Sequence, residues 1–145
     1  MKTLHSLRRP VLLALLVAAS LTACKKDKET EPEPDLASRA AGQYTFSELA
    51  FGGKTYPASS SNLKGGVTVT RQTATTVELK LNVNQKSDNE PFMDGSAGGI
   101  LLTDVGNGEF DLNKDGEKLG RGSKNKLVLN GEDDNDVRFT ITFTK

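Results

Sequence analysis

Apolar and polar residues alternate one by one along much of the chain beyond residue 42, a pattern typical of β-strands with one buried and one solvated face. The alternation is clearest in segments 76–84 and 137–144. Their apolar positions are Val77, Leu79, Leu81 and Val83 in the first and Val137, Phe139, Ile141 and Phe143 in the second. Beyond residue 42 no segment has the 3.6-residue stripe of an amphipathic helix. The sequence therefore predicts an all-β domain.

Less regular alternation predicts seven further strands, at 43–51, 54–57, 66–71, 98–105, 108–112, 117–121 and 126–130. Two-residue hairpin turns are predicted at Gly52-Gly53, Asn107-Gly108 and Asp115-Gly116, and Asn130-Gly131 is expected to open the last, longer turn. Eight or nine short strands joined in sequence favour a small antiparallel up-and-down barrel of about eight strands, because closing the meander removes its free edges.

The apolar faces of these strands predict the barrel interior. It would contain Tyr44, Phe46, Val67, Val69, Val77, Leu79, Leu81, Val83, Phe110, Leu112, Leu127, Leu129, Phe139, Ile141 and Phe143. A barrel of this size is filled by its own side chains or holds one small ligand. Because these side chains are so apolar, a core that they fill themselves is slightly favoured over one with a cavity. If a cavity exists, its lining predicts an apolar ligand.

The first residues have the three parts of a secretory signal peptide. Lys2, Arg8 and Arg9 are positively charged, an apolar run covers residues 11–23, and small residues lead to a cleavage site. The run is shorter than the roughly 20 residues that a helix needs to cross a bilayer. Residues 1–23 are therefore predicted to be a signal peptide.

Leu21-Thr22-Ala23-Cys24 resembles the lipobox of bacterial lipoproteins, and Cys24 is the only cysteine of the chain. The resemblance implies cleavage before Cys24, a thioether from its thiol to diacylglycerol, and often a third acyl chain on the new amino group. Two or three such chains give lasting membrane attachment, whereas one is marginal. The alternative is a free or buried thiol that happens to follow a signal peptide.

Residues 24–41 carry many charges and the sequence Glu-Pro-Glu-Pro but almost no large apolar groups, so they are predicted to form a disordered stalk. This charged start is similar to that of lipoproteins of the Bacteroidota, where such tails accompany export to the cell surface. Lys25 also stands where some lipoproteins carry the Asp that retains them in the inner membrane. The resemblance implies the outer membrane, on its periplasmic side or at the cell surface. Residues 42–145 are predicted to be one domain.

Composition limits the chemistry of the mature chain. Loss of Lys2, Arg8 and Arg9 would leave 16 basic against 19 acidic residues, which argues against a nucleic-acid partner. His5, the only histidine, would be lost as well, and Cys24 would carry lipid. No histidine- or cysteine-based nucleophile and no histidine-ligated zinc is then possible. The remaining carboxylates fall at predicted turns or on polar faces, so we expect neither an enzyme nor a cofactor.

Gly42-Gln43-Tyr44, at the start of the first predicted strand, resembles the Gly-x-Trp that begins lipocalin-like (calycin) barrels. A small β-meander after a lipobox is a common form of lipocalin-like lipoproteins. The resemblance implies a barrel over residues 42–145 that binds a small hydrophobic molecule. It also implies a basic residue of the last strand packed on the aromatic ring. Arg138 is the candidate in that strand, although the alternation places it on the polar face.

The segment from Asp111 to Glu117 matches the first half of an EF-hand calcium loop, with side-chain oxygens at positions 1, 3 and 5 and glycine at position 6. The twelfth position, which should be a bidentate glutamate, is Gly122. We favour a β-hairpin with its turn at Asp115-Gly116 over a weak calcium site, and assign no metal site.

Residues 84–97 are the longest interval without a predicted strand, and loops of this length are often lids or binding loops. Phe92 and Met93 are apolar within polar surroundings, so they are candidates for a loop at the barrel mouth that touches a ligand. The alternative, which we favour, is that they plug one end of the core.

Two functions from different classes follow. The first is a membrane-anchored, non-enzymatic lipoprotein whose lipocalin-like barrel binds a small hydrophobic ligand. The second is a protein-interaction or envelope-structural module with a filled barrel. A cavity opening near Phe92 favours the first, and a filled barrel with an exposed patch on its loops favours the second.

Overall fold

The computed structural model describes residues 33–145, and the predicted signal peptide, Cys24 and the first part of the stalk lie outside this range. The described residues form one short helix and nine strands. Their bounds are α1 Leu36–Ala40, β1 Gly42–Phe51, β2 Lys54–Pro57, β3 Leu63–Arg71, β4 Thr76–Gln85, β5 Pro91–Gly106, β6 Glu109–Lys114, β7 Glu117–Gly122, β8 Lys126–Glu132 and β9 Arg138–Thr144. Within residues 33–145, none of the helical structure has the length and apolar character of a membrane span.

Eight of the strands close into an antiparallel barrel. Neighbours in sequence pair from β3 to β9, β1 pairs with β3, and β1 also pairs with β9 to complete the ring. The remaining strand, β2, pairs only with the last four residues of β1. The predicted small antiparallel barrel of about eight strands is confirmed.

A β-bulge in β1 keeps its apolar residues inside the barrel. Phe46 lies opposite Phe143 of β9 and Leu49 lies opposite Ile141, with a shift of register between Phe46 and Glu48. Residues three apart in a regular strand face opposite sides, so the extra residue of the bulge is what turns Leu49 inward. The strand continues to Phe51, which lies opposite Phe139.

Three of the predicted turns are confirmed. Gly52-Gly53, Asn107-Gly108 and Asp115-Gly116 connect neighbouring strands, and all six residues have positive φ, as the favoured two-residue hairpin turns require. The prediction at Asn130-Gly131 is wrong, since both residues lie within β8 and pair with β9.

The last turn instead begins at Asp133. The carboxylate of Asp133 accepts hydrogen bonds from the backbone N–H groups of Asn135 and Val137, each at 2.9 Å. The backbone N–H of Asp133 donates to the carbonyl of Val137 at 3.0 Å. Aspartate commonly organises a turn in this way, and the turn therefore forms after the Asn-Gly pair and not at it.

The predicted loop at 84–97 is mostly strand. Only residues 86–90 separate β4 from β5, and β5 then runs from Pro91 to Gly106. Proline is tolerated at the first position of a strand because its missing N–H breaks no ladder bond there. The alternation in this region is weak because the register shifts twice against β4, once between Val77 and Leu79 and once between Val83 and Asn84.

The predicted interior is confirmed with two exceptions. Leu81 and Phe139 are only partly buried, while the other predicted interior residues are buried. The core also contains residues that the sequence did not indicate, namely Ala37, Ala40, Leu63, Ile100 and Leu102.

Helix α1 covers one end of the barrel, which we call the closed end. Ala37 and Ala40 are buried against the core, and the Tyr44 hydroxyl donates to the carbonyl of Ala40. Asp35 caps the helix by accepting from the backbone N–H of Ser38 at 2.8 Å. These residues fall within the predicted stalk, so the folded domain begins earlier than predicted. A five-residue helix has little stability alone and forms here because its small apolar face packs on the barrel.

Candidate functional site: a cleft at the barrel mouth

The end of the barrel opposite α1, which we call the mouth, brings together residues that are distant in sequence. Strand β1 ends there at Phe51, β8 ends at Glu132, and β5 and β9 begin there at Pro91 and Arg138. Antiparallel pairing sets Phe139 beside both Phe51 and Gly131, so these three residues form one row across three strands. Residues directly opposite each other share a face of the sheet, and this row therefore continues the inward face of Ile141 and Leu129.

Three phenylalanines form an aromatic cluster at the mouth. Phe51 is 37% exposed and Phe92 is 41% exposed, and Phe139 is partly buried between them. The ring centroids of Phe92 and Phe139 lie 6.2 Å apart at an angle of 51°, within the range of favourable aromatic pairs. Strands β5 and β9 are not neighbours in the sheet, so this contact reaches across the mouth.

A bulge and a glycine position two of these rings. Val83 pairs with Met93 and Asn84 pairs with Pro91, so Phe92 is the extra residue of a β-bulge, a device that re-aims a side chain. A methyl group at position 131 would collide with the ring of Phe139. Glycine at this position therefore lets the Phe139 ring lie against the backbone of β8.

The cluster borders an apolar cleft of about 500 Å³, which we call the mouth cleft. Its lining residues are Leu49, Phe51, Phe92, Met93, Gly131, Glu132, Asp133, Asp134 and Phe139. Sites for small molecules are commonly clefts of about 300–1,000 Å³ with mainly apolar walls and a few polar groups. The mouth cleft has this size and composition.

The charged side chains that line the mouth cleft are all acidic. Glu132 and Asp134 are exposed, and Asp133 is partly buried at the start of the last turn. Hydrogen bonds from the backbone N–H groups of Val137 and Asn135 hold the pKa of Asp133 below its ordinary value. This carboxylate therefore stays ionised and adds a negative charge at the rim.

A second opening, of about 800 Å³, lies beside the mouth in the barrel wall. Strands β7 and β8 share only three residue pairs, between 120–122 and 127–129, and separate toward the mouth. Both signs of charge line this opening, from Glu117, Lys118, Glu132 and Arg138. The mouth cleft differs from this opening in having charged side chains of one sign only.

The structure places both predicted ligand-binding residues, Phe92 and Met93, in the wall of the mouth cleft. They lie on strand β5 and not on a loop, and a role in binding stays a prediction. Phe51 and Phe139 were missed as mouth residues. A usable signal was present, since both stand at the turn-proximal ends of strands and are apolar there.

The segment 111–117 forms the predicted hairpin. Its turn is Asp115-Gly116, and the carboxylate of Asp111 is held by Lys118 and Arg121, each with a nitrogen at 2.7 Å. These contacts, with the Arg121 hydrogen bond first, lower the pKa of Asp111 to about 2. Across residues 33–145, groups of three or more metal-ligating His, Cys, Asp or Glu side chains are not found.

No protein-family model matches the sequence, and a comparison with curated proteins finds no match. Two solved structures are similar to it. One is a putative outer membrane protein from Bacteroides fragilis, with a TM-score of 0.48 and 16% identity over 77% of this chain and 53% of that chain. The other is a de novo designed fluorescence-activating β-barrel, with a TM-score of 0.46 and 17% identity over 77% of this chain and 97% of the design. This chain thus spans about half the length of the Bacteroides protein.

Proposed function

We propose that this protein is a non-enzymatic lipoprotein of the cell envelope, held in the outer membrane by lipid on Cys24, whose barrel binds a small hydrophobic molecule at its mouth. One observation carries the binding proposal. Phe51, Phe92 and Phe139 come from three different strands and border one apolar cleft while staying partly in water. Apolar surface concentrated in a concave site is where burial by a ligand releases the most free energy.

The ligand is expected at the mouth and not deep in the barrel. Toward the closed end, Phe143, Ile141 and Phe110 are fully buried and fill the interior. The Phe143 ring packs edge-on against Phe46, with centroids 6.5 Å apart. Protein interiors packed in this way leave no room for a further molecule without rearrangement. The proposed binding mode therefore uses the mouth cleft alone.

The position of the chain entry suits an anchored binding protein. The described chain reaches the barrel through Asp35 and α1, which lie at the closed end. The mouth is at the opposite end. The point where the described chain enters the barrel therefore leaves the mouth open to a ligand from solution.

The lipid anchor is tested in cells of the natural host by palmitate labelling and membrane fractionation. We expect the wild-type chain to incorporate label and sediment with membranes, and Cys24→Ala to lose both properties. A Ser20→Ala variant, which leaves the four residues of the lipobox unchanged, serves as the control and should behave as the wild type. A wild-type chain without label would contradict the anchor.

Ligand binding is tested with the chain from residue 25 onward, which contains all the described residues. We expect an apolar fluorescent probe, N-phenyl-1-naphthylamine, to brighten when added to this chain and to bind at least about tenfold more weakly to Phe92→Ser. The control is Leu101→Ser, which removes a 47% exposed apolar side chain of β5 outside the mouth cleft. Equal binding by both variants would contradict a site at the mouth.

The filled interior also supports the second function, a protein-interaction or envelope-structural module. Native mass spectrometry of the chain purified from its own host separates the two. A co-purifying mass of lipid size supports ligand binding, whereas a ligand-free chain that captures a defined protein supports the interaction module.

A further inference from the structure

We infer that the mouth cleft selects amphipathic cations, molecules with an apolar body and a positively charged amine or quaternary ammonium head. The inference rests on the proposed ligand binding and specifies its chemical class. It is carried by the combination of three phenylalanines and three carboxylates around one cleft, with no lysine or arginine in the lining.

The charged groups of the mouth cleft favour a cation. Glu132, Asp133 and Asp134 are consecutive and lie along one side of the cleft. Asp133 is already occupied with the backbone N–H groups of the turn, whereas the side chains of Glu132 and Asp134 are exposed at the rim. The ion pairs found among residues 33–145 involve neither of these two carboxylates. An anionic ligand would be repelled at this rim and a cationic one attracted.

The nearest basic residue of the mouth offsets the charge of Glu132 only, and the net charge of the rim stays negative. Arg138 lies opposite Glu132 in the β8–β9 ladder but lines the larger opening in the barrel wall and not the mouth cleft. Lys118 lines the same larger opening, on the far side of β8. The charged side chains of the larger opening therefore have both signs, whereas those of the mouth cleft are all acidic.

The aromatic lining of the mouth cleft favours a cation as well. The face of a phenylalanine ring carries partial negative charge and attracts a cation placed over it within about 6 Å. Phe51, Phe92 and Phe139 supply such faces next to the carboxylates, so one ligand can contact both at once. A head group with methyl substituents suits this setting best, because it is weakly hydrated and loses little on entering an apolar cleft.

The inference is tested by isothermal titration calorimetry on the chain from residue 25 onward, with three ligands that share one alkyl chain. These are decyltrimethylammonium, decanol and decanoate, all kept below micelle formation. We expect decyltrimethylammonium to bind about tenfold more tightly than decanol, and decanoate to bind most weakly. Added salt should narrow the differences, because the rim carboxylates are exposed.

Two variants identify the source of the selectivity. The double variant Glu132→Gln with Asp134→Asn should narrow the differences among the three affinities while leaving that of decanol unchanged. Glu117→Gln, which removes an acidic group from the larger opening only, should keep the wild-type order. Equal affinity of wild-type protein for the three ligands, or tightest binding of decanoate, would overturn the cation selectivity and leave the proposed ligand binding intact. Absence of binding by all three would overturn the proposed ligand binding itself.

Discussion

The ammonium group of Lys145 lies 4.6 Å from the centroid of the Tyr44 ring and donates a hydrogen bond to the carbonyl of Ala41 at 2.9 Å. The pair connects the end of the chain after β9 to the start of β1, beneath α1. Burial raises the pKa of Tyr44 to about 12, so the ring stays neutral, and its hydroxyl donates to Ala40. The basic residue on the aromatic ring is thus Lys145, and Arg138 lies at the other end of β9, at the mouth.

We expect a double-mutant cycle to measure this contact. Tyr44→Leu and Lys145→Met should each lower the free energy of unfolding, and the cycle should give a coupling of about 0.5–1 kcal/mol, since Lys145 is exposed. Denaturant titration of the four proteins provides the values. The control cycle uses Lys126→Met in place of Lys145→Met. Lys126 is an exposed lysine at the same end of the barrel, and this cycle should give no coupling. Equal couplings in the two cycles would argue against a specific contact.

Gly120 permits the short β7–β8 ladder to form. A methyl group at position 120 would collide with the backbone carbonyl of Val128, which has little freedom to move inside the sheet. We expect Gly120→Ala to lower the free energy of unfolding by about 1–3 kcal/mol. Gly98→Ala is the matched control because its methyl group meets only the flexible end of the Gln72 side chain. Thermal denaturation of both variants decides the matter, and similar melting temperatures would refute the packing argument.

Phe143 anchors the filled half of the interior. It is fully buried, lies opposite Phe46 and Leu127, and packs edge-on against Phe46. We expect Phe143→Ala to cost about 3–5 kcal/mol in urea denaturation, because it removes buried surface and leaves a cavity. Leu101→Ala deletes an apolar side chain that is 47% exposed and should stay within about 0.5 kcal/mol of the wild type. A small effect at Phe143 would mean that the interior is not closely packed.

Acid should weaken the β6–β7 hairpin. The pKa of Asp111 is lowered in the folded protein from 3.8 to about 2, chiefly by its hydrogen bond with Arg121 and then by Lys118. A carboxylate whose pKa is lower in the folded than in the unfolded protein stabilises the fold at any pH above its unfolded pKa. This stabilisation is lost as the pH falls from about 4 toward about 2. Urea midpoints measured across this range should drop, and the drop should be smaller in Asp111→Asn.

Asp94→Asn is the control for the acid experiment. Asp94 is exposed on β5, and the ion pairs found in the described part of the chain do not include it. This variant should keep the wild-type dependence on pH. An Asp111→Asn protein with an unchanged acid slope would show that other carboxylates, such as Asp35 with its pKa lowered by Arg71, dominate the acid response.

The sequence by itself determined the strands whose alternation is regular, three of the four turns and nearly all of the interior. These features depend on neighbouring residues alone: side chains two apart share a face of a strand, and Gly-Gly, Asn-Gly and Asp-Gly accept the positive φ of a tight hairpin. The segment with Val77 and Leu79 and the turn at Asp115-Gly116 illustrate both cases.

Only the tertiary structure decided the features that depend on partners distant in sequence. Phe92 lies in a strand because β4 pairs with the residues on either side of it, and it reaches the mouth because the register shifts there. Leu36–Ala40 is a helix because the closed end of the barrel offers an apolar surface to cover. The mouth cleft itself arises from closure, which brings the ends of β1, β5, β8 and β9 together. Alternation along a single strand carries no record of which strand lies beside it, and for that reason the sequence placed Phe139 on an inner face without showing that it meets Phe51.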